Sequence, residues 1–256
     1  MRLFVFSRRT AFGIFSLLVS SGALAQAPEG YETIYDAPTK VNLGGRPVIA
    51  DIAYHTDRTA ASQNDLRLVL TTDVTKFVDQ TETDLQNWIA ARRQDCGERW
   101  SSGEPKIEFP PNAIGFSLSL ELEYWTCGWN GKSEPSLLTR ETGSIEVTII
   151  PVVIDGALQA SLGELTVTEK SGVSKYLPLE FVLRRAVEQE INKLNANPKF
   201  YRAPKPLIDE GFSYQSIAAT EDDDGNVVIT AKYKAKGPAA SLDRVVEKTR
   251  SEGITQ

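Results

Sequence analysis

Side chains that could act as nucleophile, metal ligand or redox centre are few in this chain. It holds two cysteines, Cys96 and Cys127, and one histidine, His55. A serine–histidine–acid triad can draw only on His55, and no Gly-x-Ser-x-Gly elbow is present. His55 begins a polar stretch running to Asp65 and lacks a second ligand at metal-binding spacing, so it reads as a solvated loop imidazole. Gly128-Trp129-Asn130-Gly131-Lys132-Ser133 imitates a phosphate loop. The place that demands the first glycine holds Thr126, however, and Pro135 blocks the helix that should follow. Asp222-Asp223-Asp224-Gly225-Asn226 offers oxygens but not the alternating ligands and distant glutamate of a calcium loop, so it reads as a hairpin turn. A glycosidase-type carboxylate pair is spatial, and among 34 acids no pair stands out. No catalytic residue, metal site or cofactor is therefore expected, and the chain reads as a non-enzyme.

The cysteines carry the one chemistry that the pattern favours. In an oxidising compartment a lone pair without CxxC spacing reads as a structural disulfide, and closing this loop is worth about 3–4 kcal/mol in the chain-entropy model. Around it lie all four tryptophans, Trp88, Trp100, Trp125 and Trp129. They read either as a stacking platform for a ligand or as packing around the bridge. Trp125 falls on the wet face of its strand by parity, which requires a cover or a binding role.

The compartment follows from the first 25 residues. Arg2, Arg8 and Arg9 precede the apolar run Ala11–Ala25, which ends in Ala23-Leu24-Ala25. This is the layout of a cleaved secretory signal peptide, with the protein expected in the periplasm or outside the cell. Ser7-Arg8-Arg9-Thr10-Ala11-Phe12 resembles a twin-arginine signal; the other reading is an ordinary signal holding two arginines. No later apolar run is long enough to span a bilayer, so a soluble mature protein without an integral span is expected. Formal charge is −6 before cleavage and becomes more negative after it. An acidic chain without basic runs argues against nucleic acid and against docking on anionic head groups.

Positioning elements can be read from periodicity. Residues 26–46 are rich in Pro, Gly and polar side chains and read as a flexible leader. Residues 47–236 suit a single α+β domain. Val48–Tyr54 and Leu66–Leu70 alternate as strands, and residues ~73–95 carry a helical stripe through Val74, Phe77, Val78, Leu85, Trp88 and Ile89, capped by Thr72 or Asp73. Ile114, Phe116, Leu118, Leu120, Leu122 and Tyr124 form the cleanest period-two run, a long strand with one dry face. A second long strand starts at Ile145 and turns at Asp155-Gly156 into a partner with a bulge near Gly163. Pro178 opens a helix, residues 178–195, with Leu179, Val182, Leu183, Val187 and Ile191 on one face. Strands around Ile217 and Val227–Lys236 follow, and the tail 237–256 holds a short helix on Leu242, Val245 and Val246. The expected fold is one long, twisted antiparallel sheet packed against the long helix and the earlier one.

The strand Ile145–Val153 with Pro151, the hairpin through Leu165-Thr166-Val167, the helix from Leu177-Pro178-Leu179 to Leu194 and the strands around Ile217 and Val227–Ile229 together resemble the bacterial periplasmic branch of the tubular lipid-binding superfamily. The resemblance covers roughly residues 110–236. It implies twisted strands wrapped on a long helix, with a groove for an acyl chain. The expectation is an apolar ligand, lipid among the candidates, held between Ile114, Phe116, Leu118 and Leu120 of the sheet and Val182, Leu183 and Val187 of the helix. Two other readings stand beside it: a cell-envelope structural or protein-interaction module, and a carbohydrate-active enzyme.

Overall fold

The computed structural model describes residues 27–43, 46–92, 94–127, 134–176, 179–222 and 224–254. The export segment, Trp129 with the glycine-rich stretch around it, and Pro178 lie outside the described residues. The strands are β1 (Glu32–Leu43), β2 (Arg46–Thr56), β3 (Asp65–Asp73), β4 (Gly97–Ser102), β5 (Lys106–Glu108), β6 (Ile114–Thr126), β7 (Ser136–Ile154), β8 (Ala157–Thr168), β9 (Ser213–Glu221) and β10 (Val227–Lys236). The helices are α1 (Arg58–Ala61), α2 (Thr75–Ala90), α3 (Leu179–Ala196), α4 (Pro198–Tyr201), α5 (Lys205–Ile208) and α6 (Ala240–Glu252). The fold is α+β, and every pairing between these strands is antiparallel; Val41 of β1 also forms an isolated parallel bridge with Ile254.

These strands build two sheets rather than the single one expected. The first runs β1-β2-β3-β10-β9; the second runs β4-β6-β7-β8, with β5 also on β6. Alternation reveals which face of a strand is dry but not which strand lies beside it. The last two strands therefore read as part of the long sheet, although β10 pairs with β3 from the start of the chain. Residues 32–43, expected within a loose leader, form edge strand β1 paired along β2 from Glu32↔Thr56 to Leu43↔Arg46. Pro38 hid this strand. At a sheet edge its missing N–H costs no ladder bond.

The main core lies on the first sheet. Ile52 and Tyr54 of β2, Leu66, Leu68 and Leu70 of β3, and Tyr233 of β10 pack with Leu207 and Phe212. Leu242, Val245 and Val246 of α6 belong to the same core, so the segment read as a tail is structural. Tyr54 Oη and Thr249 Oγ1, 3.2 Å apart, tie the helix to the sheet, and burial raises the Tyr54 phenol pKa to about 12.

Local signals account for the boundaries. Asp73 Oδ1 accepts from Thr75 N and Thr75 Oγ1 at the start of α2, which ends at Ala90 rather than near 95. Asp155 and Gly156 both take positive φ (51° and 78°), as a two-residue hairpin turn requires. The register slips between Val147 and Ile149, opposite Gly163, whose missing side chain leaves room for Thr148 O at 3.2 Å from an ideal Cβ. Pro151 is accommodated because β6 ends at Ile114, opposite Ile149, so no strand on that side awaits its N–H.

Leu242→Ala should cost about 2–5 kcal/mol of unfolding free energy in urea denaturation, the range for a truncated core leucine. A loss under 0.5 kcal/mol would return α6 to the status of a tail.

Candidate functional site

Strand β8 forms the edge of the second sheet, and α3 lies along it. Asn195 grips the strand at one end: its Oδ1 accepts from Ala160 N (2.7 Å) and its Nδ2 donates to Ala160 O (2.9 Å). At the other end Glu180 Oε1 accepts from Val167 N (3.3 Å). From Glu180 to Asn195 the helix rises about 22 Å. From Ala160 to Val167 the strand spans about 23 Å. Matching lengths let one helix satisfy backbone groups at both ends of an otherwise open edge.

Between these pins Leu183 and Val187 turn onto Val147, Leu165 and Val167, with Ile145, Ile149 and Leu162 beside them. Two of the three helix residues expected in a groove are therefore against the sheet. Val182 is not: it is 57% exposed, next to Phe181 at 66%. The expected sheet residues all lie on β6, beyond the strand that α3 covers. Register places Ile114 opposite Ile149, Phe116 opposite Val147 and Leu118 opposite Ile145, all on the same dry face. Leu118 is buried, whereas Ile114, Phe116 and Leu120 are only half-buried. On the far side α2 packs beside β4 and β5, where Glu82 Oε1 accepts from Ile107 N at 2.7 Å. The apolar face of β6 thus runs between two helices, and neither fully covers it.

The cysteines form the expected disulfide, Cys96–Cys127, with Cα atoms 5.5 Å apart and a sequence separation of 31. Of the described tryptophans, Trp100 and Trp125 do not share one platform. Trp125 pairs with Gly97 and Trp100 with Leu122, which sends their rings to opposite faces. The guanidinium of Arg99 lies over Trp125, 4.0 Å from its ring centre, and the indole Nε1 donates to Glu123 Oε2 at 2.9 Å. That contact is the cover its wet-face position demanded. Arg140 binds Glu123 from the other side at 2.6 Å, and its hydrogen bond, with that of Trp125, holds the Glu123 carboxyl below the usual range. Arg99 also donates to Gln94 O and Asp95 O, fastening the turn before Cys96. Trp100 Nε1 donates to Glu98 Oε2, and Trp88, 55% exposed, carries Arg92 over its ring. Arg99, Glu123 and Arg140 had no signature in sequence, because their meeting depends on strand register.

His55 is not a solvated loop residue. It lies in β2 at 2% exposure, its Nδ1 2.9 Å from Thr33 Oγ1, and its Nε2 meets no hydrogen-bonding partner among the described residues. Burial pushes its pKa below the ordinary value, with Asp36 pulling weakly the other way. By parity His55 falls on the face opposite Ile52 and Tyr54, so the alternation of Val48–Tyr54 gave no sign of its burial. The acidic run is a turn, as expected: Asp222 Oδ1 accepts from Asp224 N and Asn226 N. Among the described residues no group of three or more His, Cys, Asp or Glu side chains is placed to hold a metal ion, and no helix is long and apolar enough to cross a membrane.

Two measurements check this description. Reducing the disulfide, or Cys96→Ser with Cys127→Ser, should lower unfolding free energy by about 3–4 kcal/mol in urea melts; an unchanged midpoint would sink the bridge's structural role. The unfolded state protonates His55 near pH 6.5, whereas the folded state resists, so stability falls as pH drops below about 6.5 until the lower folded pKa is passed. His55→Gln should flatten the decline in melting temperature between pH 7 and 5, and an identical slope in the variant would contradict a buried neutral imidazole. No protein-family model matches this chain, and no curated protein matches it in sequence.

Proposed function

We propose that this chain is an exported, non-catalytic domain that binds an apolar ligand of the acyl-chain kind along the dry face of its second sheet, between α3 and β6. The observation that carries the reading is the imbalance between that face and its cover. Ile114, Phe116 and Leu120 stay half-buried beside a helix that reaches only β7 and β8. Contiguous apolar surface of this kind on a folded domain marks a ligand or partner site. Burial there is worth about 0.8 kcal/mol per methylene, so a long chain gains enough to offset its lost freedom.

The disulfide supports an oxidising compartment, because such bonds are rare in a reducing cytosol. Strands β7 and β8, followed by α3 along their edge, support the kinship with the tubular lipid-binding superfamily. The exposed Phe181 and Val182 favour a second reading, a cell-envelope protein docked on the outer face of α3.

Native mass spectrometry and organic extraction of the purified protein should find a co-purifying acyl lipid. Phe116→Asp should reduce its occupancy at least tenfold, while Phe181→Ser, on the outer face, leaves it intact. Protein free of lipid, and unable to take up a fluorescent fatty acid, would overturn the reading. Binding of an envelope protein that Phe181→Ser abolishes would favour the second one.

A further inference from the structure

The first sheet is interrupted at one place. β2 pairs with β1 from end to end, but with β3 only from Ile52 to Thr56. Beyond that point the chain leaving β3 is tied to β10 instead. Val74 N donates to Val227 O at 2.9 Å, and Thr75 Oγ1 accepts from Val227 N at 2.8 Å. Among the described residues no strand lies beside residues 46–50 on that side, which leaves about 17 Å of edge open. The ladder fixes where the unpaired groups point. Asn42 N donates to Ile254 O and Ile254 N to Lys40 O, so Lys40 and Asn42 turn their backbone away from β2. Thr39 and Val41 then face β2, and register sets them opposite Ala50 and Val48. Ile49, lying between these two, directs its N–H and C=O to the open side, as Pro47 directs its C=O.

That open side is a half-open cleft of about 360 Å³, with Val48 and Ile49 of β2 on one wall and Val74, Phe77 and Gln80 on the other. Ile49 is 69% exposed. An edge with unpaired backbone groups is a template for one more strand. Because α2 walls the far side, an incoming strand cannot bring another strand with it, which argues against the sheet edge of a second copy. Asp51 and Asp73 line the cleft at the end where β3 departs, and Lys76 is the one cation in the lining. A carboxylate is repelled there and an ammonium is attracted. We infer that the cleft binds the extended amino-terminal segment of a partner protein, laid antiparallel to β2. The segment's second residue exchanges both backbone hydrogen bonds with Ile49. Its first and third residues, opposite Ala50 and Val48, set apolar side chains on the core face beside Val74. Its α-ammonium lies at the end marked by Asp51 and Asp73. The cleft shares no residue with the face beside α3 and stands whether or not that face takes a lipid.

The probe is the peptide Val-Thr-Val-Thr-Gly-Ser with a free amino terminus, titrated into the full-length protein and followed at the methyl signals of Val48 and Val74. Hydrogen exchange should find the Ile49 amide unprotected in the protein alone and slowed at least about tenfold by saturating peptide, while the Val48 and Ala50 amides are protected throughout. Replacing the second residue's amide by an ester removes the N–H aimed at Ile49 O and should weaken binding about tenfold. The same ester at the third residue, whose N–H points away from β2, should change affinity less than about threefold. Acetylating the amino terminus should weaken binding about fivefold. Ile49→Pro removes the edge N–H without touching the β1 ladder and should abolish binding, and Phe116→Asp should leave it unchanged. An Ile49 amide already protected in the protein alone, whether by a dimer or within one chain, overturns the proposal. So does a lack of methyl shifts up to about 1 mM peptide, or two esters of equal effect. Tighter binding of the acetylated peptide overturns the assigned direction and end group. Should Ile49→Pro not fold, the ester pair and the exchange of the Ile49 amide decide the matter.

Discussion

Leu158 belongs to the second sheet by its hydrogen bonds, yet it is buried among the side chains of the first. It sits just past the Asp155-Gly156 turn, where Tyr214 N donates to Gly156 O at 3.1 Å and a side chain on Gly156 would press on Ser213. Leu158 and Val153, just behind the exposed hairpin tip, therefore root the hairpin in the main core, and the rest of β7 and β8 projects from that anchor. Alternate residues along β8 (Leu158, Ala160 and Leu162, then Leu165 and Val167 after the slip) keep one face dry from the core outward. A strand rooted this way cannot end its apolar face where the first sheet ends, because pleating continues it. The chain must find cover for what extends beyond.

That cover is partial, and its form follows from the edge it serves. Among the described residues β8 has no further strand beside it, so α3 both closes the edge and shields the apolar face nearest to it. The hydrogen bonds of Asn195 and Glu180 fix the helix lengthwise; Leu183 and Val187 fix its roll. A helix presents only one stripe, and the stripe used here is spent on β7 and β8. Strand β6, two places in from the edge, keeps half-exposed apolar side chains as a consequence. The disulfide and the Arg99–Trp125–Glu123–Arg140 array fasten the C-terminal end of β6, at the far end of the strand from Ile114 and Phe116. A firm scaffold with open apolar surface is a low-cost arrangement for binding.

Much of this architecture was legible. The periods of Ile114–Tyr124, Ile145–Ile149 and Leu66–Leu70, the helical stripe of α3, the Asp155-Gly156 turn, the Gly163 bulge and the Cys96–Cys127 pair all read from local pattern, because local sterics and parity cause them. β1 was masked by Pro38, a residue that rules out a central strand but not an edge one. β4, six residues with only Trp100 as an apolar anchor, had too little pattern to register. His55 reads as polar and is polar, but burial depends on what packs against it, which no spacing encodes.

By itself the sequence determined the α+β class, the faces of the strands, the chemistry available for catalysis and the bond between its two cysteines. These follow from residue type and from periods a few residues long. Only the tertiary structure decided that there are two sheets, that the segment before β2 and the one after β10 belong to the first, and that α3 serves an edge rather than the middle of a sheet. It also decided which apolar residues go uncovered. Such outcomes turn on partners far apart in sequence, Val41 beside Ile254 or Leu70 beside Ala231, and pairing free energy depends on the whole packed neighbour set rather than on any local run.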